Sequence, residues 1–280
     1  MKKILSTILV CTAIWVGNAQ VTTPPASVPE TSKTTVGLTE VSIDYSRPSK
    51  RGRTVFGNVV PYGELWRTGA NSNTTIQFSD DVVIDGQEIK AGEYAIFTKP
   101  EEDHWEIYFY DETGNWGNQV NWEEEKVAAK AIVKVQPLKT TQETFSIALD
   151  NVTSTSAMLT FAWDDVMTAV KFEVPSDKKA MASIEKTMKA SPKEHDYLSA
   201  SNYYYTTDRD IKQAKEWIDT GIKMLDNPAF YQLHAQALIH AKAGDKKSAM
   251  QIAERSLEAS KKANDGAYVR MNEELMARLK

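Results

Sequence analysis

Cysteine is almost missing from this sequence: the one thiol is Cys11, inside an apolar leader-like segment. With that segment removed there is no disulfide, no thiolate metal site and no cysteine nucleophile. Stability then has to come from burial, for which 280 residues suffice, in about two domains. Histidine is scarce as well, with only His104, His195, His234 and His240. His234 and His240 are six positions apart, whereas two helical ligands converge on a metal at a spacing of three or four. No HExxH, CxxC, GxSxG or phosphate-loop glycine pattern occurs. Metal and cofactor are therefore both expected to be none, and no catalytic residue is assigned. No stretch reaches the roughly 20 apolar residues of a membrane-spanning helix. No basic run is present either, which argues against nucleic acid and anionic lipid as partners.

What is present starts with export. Lys2 and Lys3 precede the short apolar run Ile4 to Val16, and Gly17, Asn18 and Ala19 place small residues before Gln20. This layout predicts a signal peptide over 1–19 and a periplasmic or extracellular protein. A lipid anchor would need a small residue before Cys11, where Val10 stands. Loss of Lys2 and Lys3 moves the formal charge from −5 to −7. Gln20 to Lys33 is rich in Thr, Pro and Ser and has little to bury, so 20–35 is expected to be a flexible spacer.

Residues 36–175 alternate with a period of two. Val41, Ile43 and Tyr45 face one way; so do Ile76 and Phe78, then Trp105, Ile107 and Phe109, then Ala131, Val133 and Val135. Phe145, Ile147 and Leu149 follow, then Ala157, Leu159, Phe161 and Trp163, then Val170, Phe172 and Val174. Each such strand has one buried and one wet face, as in antiparallel sheets. Asp85-Gly86 signals a hairpin and Thr113-Gly114 punctuates another gap. About nine to eleven strands without intervening helices predict an antiparallel β-sandwich or a barrel-like domain.

Residues 176–280 follow a helical pattern. Ile211, Ala214, Ile218, Ile222 and Leu225 form one apolar stripe, which Asn227-Pro228 ends. Phe230, Leu233 and Ala237 begin another helix that Gly244 stops, Asp245 is placed to cap a third, and Asp265-Gly266 breaks the chain before a last one. Ala214, Ile218 and Ile222 correspond to Ala249, Ala253 and Leu257 at a constant offset of 35. A period near 34 with small residues at the helix crossing resembles the tetratricopeptide repeat. The segment 233–260 carries the likeness best, and Asn202 and Tyr205 belong to a degenerate first repeat.

The richest segment chemically is Tyr45 to Phe78. Its middle is not strand-like, and it gathers Arg47, Arg51, Arg53 and Arg67 with Tyr62, Trp66, Asn71 and Asn73. A long ordered loop in a compact β domain commonly carries function. Arginine forks bind carboxylate or phosphate at two points, and an indole or phenol face beside amides suits a sugar ring. The competing structural reading pairs Arg47, Arg53 and Arg67 with Asp44 and Glu64 and makes Trp66 a core plug. Asp80-Asp81 and Glu123 to Glu125 read as solvated turns, and His104 as an edge histidine.

The strings VGLTEVSIDYSRPSKRGRTVFG, VPYGELWRTGANSNTTIQFS, IKAGEYAIFT and WEIYFY, followed by NWG, resemble the secreted bacterial family called domain of unknown function 2911. The likeness runs from Val36 to Glu173 and includes Arg47-Pro48, Gly52-Arg53, Trp66-Arg67, Gly69-Ala70-Asn71 and Trp116-Gly117. It implies an exported β-rich protein without an established activity, and a helical extension such as many members carry. It groups Arg47, Arg53, Trp66, Arg67 and Asn71 as a unit and adds nothing to His104. The expectation is an envelope binding protein. Its β domain would take a small anionic or sugar-like ligand through Arg47, Arg53, Tyr62, Trp66, Arg67, Asn71, Asn73 and Trp116. Its helical repeats would hold a protein or peptide partner. The alternatives are a hydrolase of envelope glycans or peptides using a carboxylate such as Glu64 or Asp111, with or without His104, and a pure scaffold.

Overall fold

The computed structural model describes residues 23–118 and 121–280. The signal-peptide reading, with Cys11, lies outside the described residues. The chain divides into two units between Val174 and Pro175. No helix among the described residues is long and apolar enough to cross a membrane.

The first unit holds strands β1 (Val28–Val36), β2 (Thr39–Arg47), β3 (Thr75–Phe78), β4 (Val82–Ile84), β5 (Gln87–Ile89), β6 (Gly92–Pro100), β7 (His104–Tyr110), β8 (Val127–Lys134), β9 (Gln136–Asp150) and β10 (Ser156–Glu173). They make a six-stranded sheet, ordered β1-β2-β3-β6-β7-β8, and a four-stranded sheet, ordered β5-β4-β10-β9. Neither closes into a barrel. Every strand pairing is antiparallel. Residues from both sheets, among them Ile43, Ile76, Ile107, Ile84, Leu159 and Phe161, share one buried cluster. That is what alternation on half-buried strands produces. At the β4–β5 hairpin Asp85 and Gly86 have φ of 47° and 81°. Positive φ at both central residues is what a two-residue turn of the type I′ kind needs.

Three sequence expectations change here. Val28 to Thr35 is not spacer: β1 pairs in unbroken register with β2, from Val28 opposite Arg47 to Val36 opposite Thr39. Its composition looked disordered because an edge strand buries little; only Val36 is buried. Its β-branched Thr31, Thr34 and Thr35 suit a strand, and an edge tolerates Pro29, which has no N–H to donate. Next, β6 and β7 are buried on both faces. Phe97, Tyr108 and Tyr110 form a second cluster under Trp122, whose ring stacks on Tyr110 at 4.5 Å. Finally, the two segments around Trp163 and Phe172 belong to one strand, β10. Register shifts flank Asp164, which has a φ of 57°. Such a bulge bends a strand without ending it.

The second unit consists of α1 (Ser176–Met188), α2 (Glu194–Thr206), α3 (Ile211–Lys223), α4 (Phe230–Lys242), α5 (Lys246–Lys262) and α6 (Gly266–Leu279). Ala214, Ile218, Ala237, Ala249 and Ala253 are buried at the helix contacts. Small residues there let helices approach closely. Asp210 caps α3 by accepting from the Lys212 and Gln213 N–H groups, and Asp245 caps α5 by accepting from Ser248 N–H. The caps thus recur at the same offset of 35 as the apolar residues. Asp265 caps α6 in the same way.

The interior of this unit is partly polar, and its two buried histidines each have partners. Asn272 meets His234 Nδ1 at 2.8 Å and donates to Ser256 Oγ at 2.9 Å. His240 lies between Asp219, 2.7 Å from Nε2, and Asp245, 3.3 Å from Nδ1. His234 and His240 therefore serve separate networks.

The Asp245 carboxyl is held down at about 2 from an ordinary 3.8, chiefly by the Ser248 backbone N–H and hydroxyl, with Lys215 and His240 adding to it. The ionised form is bound more tightly by the folded state. Its stabilisation is complete above about pH 4 and is lost as pH falls from there toward 2. Asn also caps helices, so Asp245→Asn removes the charge and keeps the cap. Thermal unfolding followed by circular dichroism from pH 5 to pH 2 should show a smaller fall in Tm for Asp245→Asn than for the wild type. Parallel curves would show that the Asp245 charge adds nothing.

Candidate functional site

The connection from Pro48 to Thr74, between β2 and β3, is long yet ordered at every stage. At its start Ser49 bridges Thr144 of β9, Lys50 N–H donates to Glu143 O at 2.7 Å, and Phe145 N–H donates to Pro48 O at 2.9 Å. The bulged Asp164 accepts from Val55 N–H at 3.4 Å and pairs with the Lys50 ammonium. Further on, Trp66 exchanges backbone hydrogen bonds with Thr98 of β6, at 2.8 and 2.9 Å.

The Trp66 side chain is buried among aromatic rings from both sheets. It stacks on Trp163 at 5.8 Å with planes 22° apart, and meets Phe145 at 5.1 Å and Trp105 at 6.2 Å edge-on. Its indole N–H donates to Gly69 O at 3.1 Å, so no polar atom of the ring is stranded. Gly69 must be glycine: a Cβ there would lie 2.9 Å from Thr74 Oγ1 and 3.0 Å from the Ser46 carbonyl. The core-plug reading of Trp66 is thus realised in the fold. The same ring forms part of the wall of a surface cleft.

That cleft has a volume of about 510 Å³, and its charged lining residues are Arg51, Arg53, Arg67 and Glu64. Trp66 and Trp163 contribute apolar wall, and Asn118 an amide. Arg53 is fixed by backbone carbonyls, with Nε donating to Lys50 O at 2.9 Å and Nη2 to Ser49 O at 2.7 Å. Arg51 Nη2 donates to Ala26 O at 2.6 Å. None of these three guanidinium groups pairs with a carboxylate among the described residues, so the pairing of Arg53 and Arg67 with Asp44 or Glu64 in the competing structural reading does not form.

Arg67 differs from the other two. Its backbone N–H donates to Asn118 Oδ1 at 3.1 Å, and Nη1 reaches the same oxygen at 3.5 Å. Its Nε is buried and has no hydrogen-bond partner. Burial pulls the guanidinium pKa below the usual arginine value. A buried donor left without an acceptor is costly, and an arriving carboxylate or phosphate oxygen relieves it.

The other expected site residues scatter. Arg47 does not reach the cleft: Nη1 pairs with Glu30 at 2.5 Å and Nε donates to Phe145 O at 3.0 Å. Its partner sits on β1, the strand read as spacer. Tyr62 lies outside the cleft wall, against Gly57, and its hydroxyl pKa is raised by burial first and by Glu102 and Asp165 next. Asn71 donates to Ser46 Oγ at 3.2 Å and accepts from Gly117 N–H at 3.2 Å. Asn73 is buried and donates to Asn115 Oδ1 at 2.7 Å. Both asparagines therefore tie the loop to the segment before Asn118. Trp116 stands in solvent. Arg51 and Asn118 were not among the expected ligand residues. Arg51 was visible as one more arginine of the run, whereas nothing in the sequence marks Asn118.

Glu64 is the one carboxylate in the cleft wall among the described residues, so the close pair a glycosidase needs is not found there. Asp111 is not part of it. His104 opens β7 and contacts Asp103 at 2.7 Å, away from the cleft.

The family model described as Protein of unknown function (DUF2911) matches residues 27–172. The chain belongs to this family. The match spans β1 through most of β10, so every residue of the cleft wall but Ala26 lies within it and the six helices lie outside it. No curated protein and no solved structure matches the chain.

The Trp66 environment yields a direct test. Replacing the ring by Ala should cost about 3–5 kcal/mol in urea unfolding of the DUF2911 unit, because the cavity it leaves cannot collapse across two sheets. A loss below about 1 kcal/mol would show that the stack contributes little.

Proposed function

We propose that this chain is an exported binding protein of the cell envelope. Its DUF2911 unit takes a small anionic or sugar-like ligand in the arginine-lined cleft, and its helical unit offers tetratricopeptide-like repeats to a protein or peptide partner. Lys2, Lys3, the run Ile4 to Val16 and the small residues before Gln20 support export. The cap and apolar recurrence at an offset of 35 supports the repeat reading.

One observation carries the ligand reading. Arg67 is a half-buried cation without a carboxylate partner, has a sealed Nε–H, and sits in the wall of a cleft where three arginines face a single glutamate. Structural arginines usually resemble Arg47 instead, with a carboxylate and a carbonyl to satisfy them. A cationic cleft with a partly apolar wall suits a small organic acid or an acidic sugar.

Arg67→Gln is the test, because it removes the charge and keeps most of the volume. Isothermal titration of the full chain with sodium acetate and with inorganic phosphate should show binding to the wild type. The substitution should weaken it by about 1.5–3 kcal/mol, roughly ten- to a hundredfold, at an unchanged Tm. Binding unaffected by the substitution, or a Tm that falls with it, would assign Arg67 to the architecture alone.

A further inference from the structure

The anion-binding reading leaves Trp116 without a role. At 77% exposure it is the most exposed large apolar side chain among the described residues. Backbone bonds hold its segment in place. Trp116 bridges Ser72, Gly117 N–H donates to Asn71 O at 3.2 Å, and Asn73 N–H donates to Asn115 O at 3.4 Å. Asn118, two residues further, lines the cleft and accepts from Arg67 N–H at 3.1 Å. Ala70, two residues before the bridge partner, lines it too. Two residues of chain span at most about 7 Å. The Trp116 backbone is therefore carried on the same paired segments that fix Arg67, within about 7 Å along the chain of a residue of the cleft wall.

An ordered, solvent-facing indole on the segment that holds a guanidinium without a carboxylate partner points to a ligand with two chemically different parts. The flat ring face suits the C–H face of a saccharide, and the guanidinium fork suits a carboxylate. Glu64, on the same wall, can accept a hydroxyl hydrogen bond. The volume of about 510 Å³ is in the range that holds one small molecule. We propose that the cleft binds an acidic monosaccharide, its carboxylate on Arg67 and its ring against Trp116. This rests on the anion-binding reading and names the ligand class for it.

The experiment titrates the full chain by calorimetry with sodium D-glucuronate, sodium acetate and D-glucose. For the wild type, glucuronate should bind at least about tenfold more tightly than either acetate or glucose, since only it engages both parts of the site. Trp116→Leu, apolar but without a flat ring, should lose about tenfold in glucuronate affinity, whereas Trp116→Phe should stay within about threefold of the wild type. Both substitutions are at an exposed position, and unchanged Tm values would establish that both variants fold. If glucuronate binds no better than acetate, or if Trp116→Leu binds it as the wild type does, the acidic-sugar proposal is wrong and the anion reading stands. If neither anion binds the wild type, both are wrong.

Discussion

The Trp66 indole stacked on Trp163 is the contact on which the site depends. It brings a residue of an irregular connection into the interior between the sheets, against Trp105 of β7, Phe145 of β9 and Trp163 of β10. A long connection free to move would lose much conformational entropy on binding a ligand. Here that ordering is already done by burial of one large ring, by the Thr98 backbone pair and by the indole N–H on Gly69 O. Gly69 follows from the same constraint, since the chain must pass within van der Waals range of the Ser46 carbonyl.

Arg67 is the next residue along, so the stack decides where its guanidinium lies. The core on one side and Asn118 on the other leave Nε dry and unpartnered. Asp164 acts from the opposite side. Its bulge turns a carboxylate toward Lys50 and Val55 N–H, and so positions the stretch that carries Arg51 and Arg53. Two anchors, one aromatic and one ionic, shape a single cationic cleft. The helical unit is built differently, from small residues at its helix contacts and aspartate caps at the starts of α3, α5 and α6.

Much of this was legible from period-two alternation, because most strands of a two-sheet core do have one dry face. The reading failed where that premise failed. β1 is polar and sits at an edge, so its burial pattern carries almost no signal, and its Thr and Pro content resembles that of a linker. Missing β1 meant missing Glu30, and without Glu30 the sequence cannot tell that Arg47 is satisfied while Arg67 is not. The second buried face of β6 and β7 depends on Trp122, which approaches from a separate segment. Asp164 read as the end of a strand because a charged pair, Asp164-Asp165, interrupts the apolar positions. The cleft itself was legible as a composition, a run of arginines beside Trp66. Which of them face it depends on partners distant in sequence, notably Glu30, Asn118 and Asp164.

The account's central claim is that the Trp66 stack holds Arg67 in place before any ligand arrives. Proton–nitrogen NMR of the full chain, following the Arg67 Nε–H and the Trp66 indole N–H during titration with sodium acetate, tests it most directly. The account predicts a saturable shift of the Arg67 resonance while the Trp66 indole N–H stays protected from exchange and unmoved. An Arg67 signal that ignores acetate, or a Trp66 indole N–H that exchanges freely with water in the unliganded protein, would contradict it.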